Sequence, residues 1–207
     1  MAPGPVVFVG GGGHASVCLD VFRSCGREVI GYLAPEPSEL ELAHLGGDDL
    51  LGSYAGTGVE LFVAIGNNRV RTGVISAALE LGVALATGIH DRAVVSPSAA
   101  VGVGTVIMPG AIVNARSALG RGVILNTAAS IDHDGVVGDV AHIAPGCHLA
   151  GNVTIGEGAF LGVGVSVTPG TTIGEWATIG AGASVVRDIA SHVTAVGVPA
   201  RPRPTLQ

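Results

Sequence analysis

An aliphatic residue recurs at every sixth position of the second half of the chain, from Ile89 to Val185. All seventeen positions of this frame hold Val, Ile or Leu, and the frame never slips. A period of six fits neither the 3.6-residue repeat of an α-helix nor the two-residue alternation of a strand. It is typical of a hexapeptide β-helix, in which each hexapeptide forms one short strand and one corner of a triangular prism.

The residues around these aliphatic anchors fit the same interpretation. The fourth position after each anchor is mostly small, and Gly commonly follows the anchor, as expected inside a narrow prism. Three hexapeptides close one coil, so residues eighteen apart stack at about the 4.8 Å strand spacing. The run predicts between five and six coils. A β-sandwich is disfavoured because its turn signals would not keep a fixed frame.

The N-terminal part alternates strand and helix patterns, which predicts a small Rossmann-like βαβαβ domain. Its connection at 36–60 is polar and glycine-rich, and its structure is left open. The first helix is expected to bury Val17, Cys18, Val21, Phe22 and Cys25. The predicted strands span 5–10, 27–34, 61–66 and 83–89, and the predicted helices span 14–26 and 67–82. We place the boundary near residue 88, with domains at 1–88 and 89–207.

Composition argues against several classes of function. The net charge is −6 and all ten basic residues are Arg, which disfavours a nucleic-acid partner. No apolar run reaches the roughly 18 residues of a membrane span, and the N-terminus lacks a signal-peptide pattern. Three cysteines without metal spacing suit a reduced, cytoplasmic protein. The histidine spacings do not stack three ligands, so no metal is expected.

A glycine-rich turn follows the first predicted strand. Gly10, Gly12 and Ala15 fit G-x-G-x-x-G/A, a turn that brings backbone N–H groups onto phosphate oxygens. The second strand ends in Ala34 and Pro35, without the acidic residue that a dinucleotide site needs. A mononucleotide or nucleotide-sugar ligand is therefore favoured over NAD, and glycines required only by a tight turn are the alternative.

A second loop at the same sheet edge runs through Gly66, Asn67 and Asn68. Ligands of open α/β sheets bind at the carboxyl ends of the strands, so Asn67 is a candidate for contact with a sugar. Asn68 is a plausible N-cap of the helix that follows.

His133 is the candidate base of the β-helix. The eighteen-residue stack places Gly151 directly over it, which leaves a hollow and exposes a backbone N–H beside the imidazole. A base next to an open donor suits acyl transfer, and Asp134 is placed to hold one ring nitrogen. An ordinary surface histidine is the alternative. His142 lies half a coil away, which predicts an interface site that uses two chains and a threefold assembly.

Five segments carry a joint resemblance: GGGGH at 10–14, AIGNNRVR at 64–71, ILNTAASIDHD at 124–134, HIAPGCHLAGNVTIGEGAFLGVG at 142–164 and VGVPARP at 196–202. Over nearly its whole length the chain resembles the NeuD/PglD-like sugar acetyltransferases of the hexapeptide-repeat class. The resemblance implies a left-handed β-helix, a homotrimer, acetyl-CoA as co-substrate, a nucleotide-linked amino sugar as acceptor, and a role in glycan biosynthesis.

The resemblance also implies roles for individual residues. His133 is the general base, and Asp134 is the carboxylate that raises its basicity. The expected acetyl-CoA contacts are His142, Gly151, Val163 and Ala181. The expected substrate contacts are Gly12, Gly13, His14, Gly66 and Asn67. The chain departs from relatives that bind uridine nucleotides at Ala34 and Pro35, and it has Asp134 where the family has Glu.

The expected reaction is direct N-acetylation of an amino-dideoxy sugar in a ternary complex. Asp132 and Asn126 are expected to support the His133–Asp134 pair. Cys147 occupies a small inward position of the repeat, and a buried thiol is a poor nucleophile. O-acetylation of a sialic-acid-like sugar, and a non-catalytic protein that binds sugar nucleotides, remain open alternatives.

Overall fold

The computed structural model describes residues 4–203, so the outermost residues of the two predicted domains lie outside the described part. The N-terminal part is a parallel sheet of four strands in the order β3-β2-β1-β4, with two α-helices and one 3-10 helix. Its strands are β1 (Val6–Val9), β2 (Val29–Leu33), β3 (His44–Gly46) and β4 (Glu60–Val63). Its helices are α1 (Gly13–Ser24), the 3-10 helix Asp48–Tyr54 and α2 (Asn68–Glu80).

Three predictions for this region were wrong. The predicted strand at 83–89 does not join the α/β sheet, apart from one bridge between Leu61 and Leu85. Val17 is 43% exposed and Cys25 follows the helix end. Cys18, Val21 and Phe22 are buried as predicted, and Ala15 and Leu19 join them because the buried face follows the i, i+3, i+4 spacing from Ala15. The buried residues of α1 are Ala15, Cys18, Leu19, Val21 and Phe22.

The rest of the chain winds into a β-helix with three parallel sheets. Most strands are two residues long and end in the aliphatic anchor, which points inward. Sheet 1 contains β5 (Gly88–Ile89), β8 (Val106–Ile107), β11 (Ile124–Leu125), β14 (His142–Ile143), β17 (Phe160–Leu161), β20 (Thr178–Ile179), β22 (Thr194–Val196) and an antiparallel β23 (Arg201–Pro202).

The other two sheets complete the prism. Sheet 2 contains β6 (Val94–Val95), β9 (Ile112–Val113), β12 (Ser130–Ile131), β15 (His148–Leu149), β18 (Ser166–Val167) and β21 (Ser184–Val185). Sheet 3 contains β7 (Ala100–Val101), β10 (Ala118–Leu119), β13 (Val136–Val137), β16 (Thr154–Ile155) and β19 (Thr172–Ile173). Paired residues such as Ile124 and His142 are eighteen apart, as the sequence predicts. The predicted fold class, a small Rossmann-like unit followed by a left-handed parallel β-helix, is confirmed.

The α/β unit packs on sheet 1 and shares a core with it. Phe8, Phe22 and Phe62 form an aromatic cluster, and the same buried core includes Val106 and Ile124 of sheet 1. Burying this apolar surface provides the main attraction between the two parts.

Arg71 of α2 makes a second connection between the α/β unit and the β-helix. Its side chain is 1% exposed and donates hydrogen bonds at 2.7–3.1 Å. The acceptors are the carbonyls of Ile65, Gly66, Gly122 and Val140 and the side chain of Asn68. These five bonds satisfy all five N–H groups of the guanidinium without a carboxylate partner.

Within residues 4–203, the structure contains no helix that is both long and apolar enough to span a membrane.

Candidate active site

His133 lies at the corner between β12 and β13, where its side chain is 50% exposed. Its Nδ1 is 2.7 Å from Oδ2 of Asp134. Because the carboxylate accepts the proton of Nδ1, Nε2 of the neutral ring is left as the basic nitrogen. The aspartate therefore reaches the ring although it is one methylene shorter than the family's glutamate.

Asp134 has a second partner that the sequence analysis missed. Arg116 donates from Nε to Oδ1 at 2.7 Å and from Nη2 to Oδ2 at 2.8 Å. These bonds with Arg116, followed by the bond with His133, lower the pKa of Asp134 to about 2. Subtracting eighteen from 134 gives 116, so the stacking rule already contained the signal.

Gly151 lies directly over the imidazole, as the eighteen-residue stack predicts. A Cβ at this position would lie 2.5 Å from Cε1 and 2.6 Å from Nε2 of His133. Within residues 4–203, the backbone N–H of Gly151 donates no hydrogen bond. The site thus combines a basic nitrogen with a free backbone donor on the adjacent coil, which is the arrangement that acyl transfer requires.

The two residues expected to support His133 lie in different places. Asp132 Oδ1 accepts from the backbone N–H of His133 at 2.8 Å and from Asn114 at 3.1 Å, so it stabilises the corner. Asn126 lies at another corner, where its amide nitrogen is 3.3 Å from Nε2 of His142. Within one chain Asn126 therefore lies beside His142 rather than His133, and its support of the base stays a prediction for a site shared between two chains.

His142 belongs to sheet 1 and faces the α/β unit, so it and His133 lie on different sides of the prism, as predicted. Its ring centroid is 6.4 Å from that of His14 and 5.2 Å from that of Phe160. Oδ1 of Asn126 accepts from the backbone of Thr127, so its NH₂ group faces Nε2 of His142 and the imidazole proton is on Nδ1. Within the described residues this buried Nδ1 has no hydrogen-bond partner.

Both histidines between the α/β unit and the prism are held neutral. Burial, with the charges of Arg71 and His14, lowers the pKa of His142 to about 4; the backbone of Gly66, which does not meet hydrogen-bond geometry with this ring, has the smallest effect and raises the pKa. Burial and Arg71 likewise lower the pKa of His14 to about 4. Neutral imidazoles offer both a donor and an acceptor, which suits recognition of an uncharged ligand group.

The two glycine loops present open backbone. Gly12 is the N-cap of α1, and a Cβ on Gly12, Gly13 or Gly66 would meet nothing within 4 Å. The N-cap of α2 is Asn67, not Asn68, because Oδ1 of Asn67 accepts from two backbone N–H groups of the first turn. The amide NH₂ of Asn68 instead donates to two carbonyls of the β-helix.

A cleft of about 340 Å³ lies between the start of α2 and sheet 1. Its walls include Gly66 and Asn67 on one side and Phe160 and Trp176 on the other. The guanidinium of Arg69 lies 4.6 Å from the centroid of the Trp176 ring. The cleft is therefore bounded by both parts of the chain.

The remaining predicted positions lie along another corner. Val163 follows β17 and is 56% exposed, and the exposed Ala181 follows β20 one coil further on. Cys147 is fully buried, and its Sγ lies 3.1 Å from the carbonyl oxygen of Gly162. Burial raises the pKa of this thiol. Within residues 4–203, no group of three or more His, Cys, Asp or Glu side chains is suited to a metal ion.

Comparison with known proteins agrees with this architecture. Residues 5–78 match the model of the PglD N-terminal domain, and residues 155–187 match that of the bacterial transferase hexapeptide (six repeats). PerB from Caulobacter crescentus, solved in complex with CoA and GDP-perosamine, is 44% identical, with a TM-score of 0.93. That match covers 98% of this chain and 99% of PerB. The chain belongs to the PglD-like family of hexapeptide-repeat sugar acetyltransferases.

Two further relatives support the assignment. The acetyltransferase domain of PglB from Neisseria gonorrhoeae FA1090, solved with acetyl coenzyme A, is 39% identical over 96% of this chain and 98% of that one, with a TM-score of 0.92. A variant of the perosamine N-acetyltransferase from Caulobacter crescentus, with one histidine replaced by asparagine, is 43% identical over 99% of both chains, with a TM-score of 0.94. The predictions of the family and of an acetyl-CoA-dependent sugar N-acetyltransferase are thereby confirmed.

Proposed function

We propose that this protein transfers the acetyl group of acetyl-CoA to the amino group of GDP-perosamine or a closely similar GDP-linked amino-dideoxy sugar. The observation that carries the proposal is the arrangement at His133, where Asp134 holds Nδ1 and Gly151, whose backbone N–H donates no hydrogen bond within residues 4–203, packs against Nε2. The likeness to PerB supports the choice of sugar. The absence of an acidic residue at Ala34 and Pro35 supports a base other than uracil.

The proposed mechanism is direct transfer. The sugar amine attacks the thioester carbonyl, and Nε2 of His133 removes its proton, which contributes roughly 10²–10⁴ in rate. The N–H of Gly151 stabilises the oxyanion of the tetrahedral intermediate. When the C–S bond breaks, the imidazolium returns the proton to the leaving thiolate, and Asp134 stabilises the positive charge in between.

We assign the two ligands to the two parts of the chain, with the division near residue 88. The two glycine loops and the neutral His14 would contact the nucleotide sugar. The contact residues are Gly12, Gly13, His14, Gly66 and Asn67. The donor side consists of His142, Gly151, Val163 and Ala181. The unpartnered Nδ1 of His142 supports its role. The exposed Arg187, Arg201 and Arg203 are available to the 3′-phosphate of CoA.

We further propose a homotrimer that works in cytoplasmic glycan biosynthesis and completes each site between two chains. The separation of His133 from the Val163–Ala181 corner within one prism supports the shared site. Co-expression of His133→Ala chains with Val163→Asp chains tests it. Mixed trimers should recover up to about a quarter of wild-type sites, whereas a site within one chain would recover none.

The decisive experiment measures CoA release with GDP-, UDP- and dTDP-linked amino sugars. The wild type should turn over GDP-perosamine fastest, and His133→Ala should lose about a hundredfold or more in kcat. Acetyl-CoA should still bind to His133→Ala, as judged by calorimetry. Near-normal turnover by this variant would refute the general-base role, and no turnover of any sugar by the wild type would refute the proposed activity.

A further inference from the structure

Arg116 and Asp134 occupy the same corner position on consecutive coils. Both residues have left-handed backbone conformations, with φ of 60° and 59°, so their side chains leave the prism from equivalent points. The guanidinium meets the carboxylate through two parallel bonds of 2.7 and 2.8 Å. The backbone N–H of Arg116 is itself bound by Ser98 Oγ at 3.1 Å. The corner therefore forms a continuous hydrogen-bonded ladder over three coils.

One carboxylate oxygen is shared between the arginine and the histidine. Oδ2 of Asp134 accepts from Nη2 of Arg116 at 2.8 Å and from Nδ1 of His133 at 2.7 Å. The planar fork of a guanidinium fixes both oxygens of a carboxylate, which a single histidine bond does not. Because Asp134 lies at an exposed corner, its carboxylate would otherwise be free to rotate towards water.

We propose that Arg116 is a positioning residue for the base: it fixes Asp134, which in turn holds Nε2 of His133 against Gly151. This inference rests on the proposed function. The positive charge of Arg116 also offsets the negative charge that Asp134 places beside the ring.

The charged groups that face His133 are few. Asp132 and Asp134 lie on its own corner, and Arg116 lies on the coil before it. The coil after it contributes Gly151 and Asn152, which carry no charge. Removing the arginine leaves two carboxylates beside the ring. With no cation left to offset these carboxylates, the acidic limb of the kcat/KM profile should move to higher pH.

Arg116→Gln tests the inference in the intact protein. We expect kcat to fall about tenfold, KM for acetyl-CoA and sugar to stay within about twofold, and the acidic limb to move to higher pH. Arg116→Lys retains the positive charge but loses the two-bond contact of the guanidinium. The acidic limb of its kcat/KM profile should therefore stay at the wild-type pH, and part of kcat should be recovered. Arg121→Gln is the control, because Arg121 also pairs with an aspartate eighteen residues on: its Nη2 and its backbone N–H both donate to Asp139, at a different corner.

Three outcomes would overturn the inference. The first is a wild-type kcat and acidic limb in Arg116→Gln. The second is an equal loss of activity in Arg121→Gln, and the third is a thermal midpoint lowered only in Arg116→Gln; either of these would indicate a merely structural role. The His133→Ala variant separates this inference from the proposed function. If that variant is inactive while Arg116→Gln behaves as wild type, only the role of Arg116 falls.

Discussion

The backbone of Gly151 lies so close over the ring of His133 that any side chain at residue 151 would overlap it. The three atoms nearest to a Cβ built at this position all belong to the imidazole, at 2.5–3.2 Å. The absence of a side chain on one coil thus leaves the space that the imidazole of the preceding coil occupies.

Gly151→Ala should reduce kcat by about a hundredfold, because the new methyl group displaces Nε2 from its working position. The fold should persist, since the half-exposed ring is free to swing away. Steady-state kinetics and thermal unfolding measure the two effects. Gly73→Ala is the control: this exposed glycine of α2 has open space around it, so the change should stabilise the protein by about 1 kcal/mol without affecting kcat. Wild-type turnover in Gly151→Ala would contradict the proposed geometry.

Cys147→Ala should retain kcat within about twofold, because the buried thiol of raised pKa supplies little thiolate. The wild type mixed with acetyl-CoA alone should show no acetylated protein by mass spectrometry. The exposed Cys25 provides a control as Cys25→Ala. An acetylated Cys147, or a loss of turnover only in Cys147→Ala, would indicate a ping-pong route.

Arg71→Met should lower the free energy of unfolding by about 3 kcal/mol, because buried carbonyls of both parts of the chain lose their donor. Urea unfolding measures the change. Arg69→Met removes an exposed arginine two residues earlier in the same helix and should cost less than about 1 kcal/mol. Equal effects of the two substitutions would show that the five hydrogen bonds of Arg71 contribute nothing specific.

Stability should fall as the pH drops from about 6.5 to about 4. His14 and His142 have a pKa of about 4 in the folded state, against an ordinary 6.5. In this window the unfolded chain binds protons that the folded chain does not, so the free energy of unfolding decreases by up to about 1.4 kcal/mol per pH unit for each histidine. We expect the free energy of unfolding to change less with pH in the double variant His14→Asn/His142→Asn than in the wild type. Urea unfolding at several pH values measures this change. His192→Asn, at an exposed corner, should keep the wild-type slope, and an unchanged slope in the double variant would contradict the prediction.

The sequence predicted the β-helix in detail because one period determines both which residues point inward and which residues stack. The same arithmetic placed Gly151 over His133, and applied to Asp134 it also leads to Arg116. Asn126 precedes His133 by seven residues, which is more than one hexapeptide, so within one chain their side chains belong to different corners.

Other features depend on contacts that no local pattern records. In the sequence Arg71 looks like an ordinary polar residue of an amphipathic helix. It is buried because α2 packs on the prism, which the local pattern does not predict. Strand β3, His44–Gly46, has three residues and no alternation, so nothing in 36–60 distinguishes it from a loop. The prediction that 83–89 forms a strand of the α/β sheet was wrong because this apolar run contributes to two structures. One part makes a bridge to β4, and the other forms the first strand of the prism.

The shared core of Phe8, Phe22 and Phe62 with Val106 and Ile124 has a consequence for how the reactants are brought together. Moving the α/β unit away from sheet 1 would expose these side chains to water, which opposes a hinge near residue 88. We therefore expect the sugar and the thioester to enter a crevice that is already formed, without a closing step.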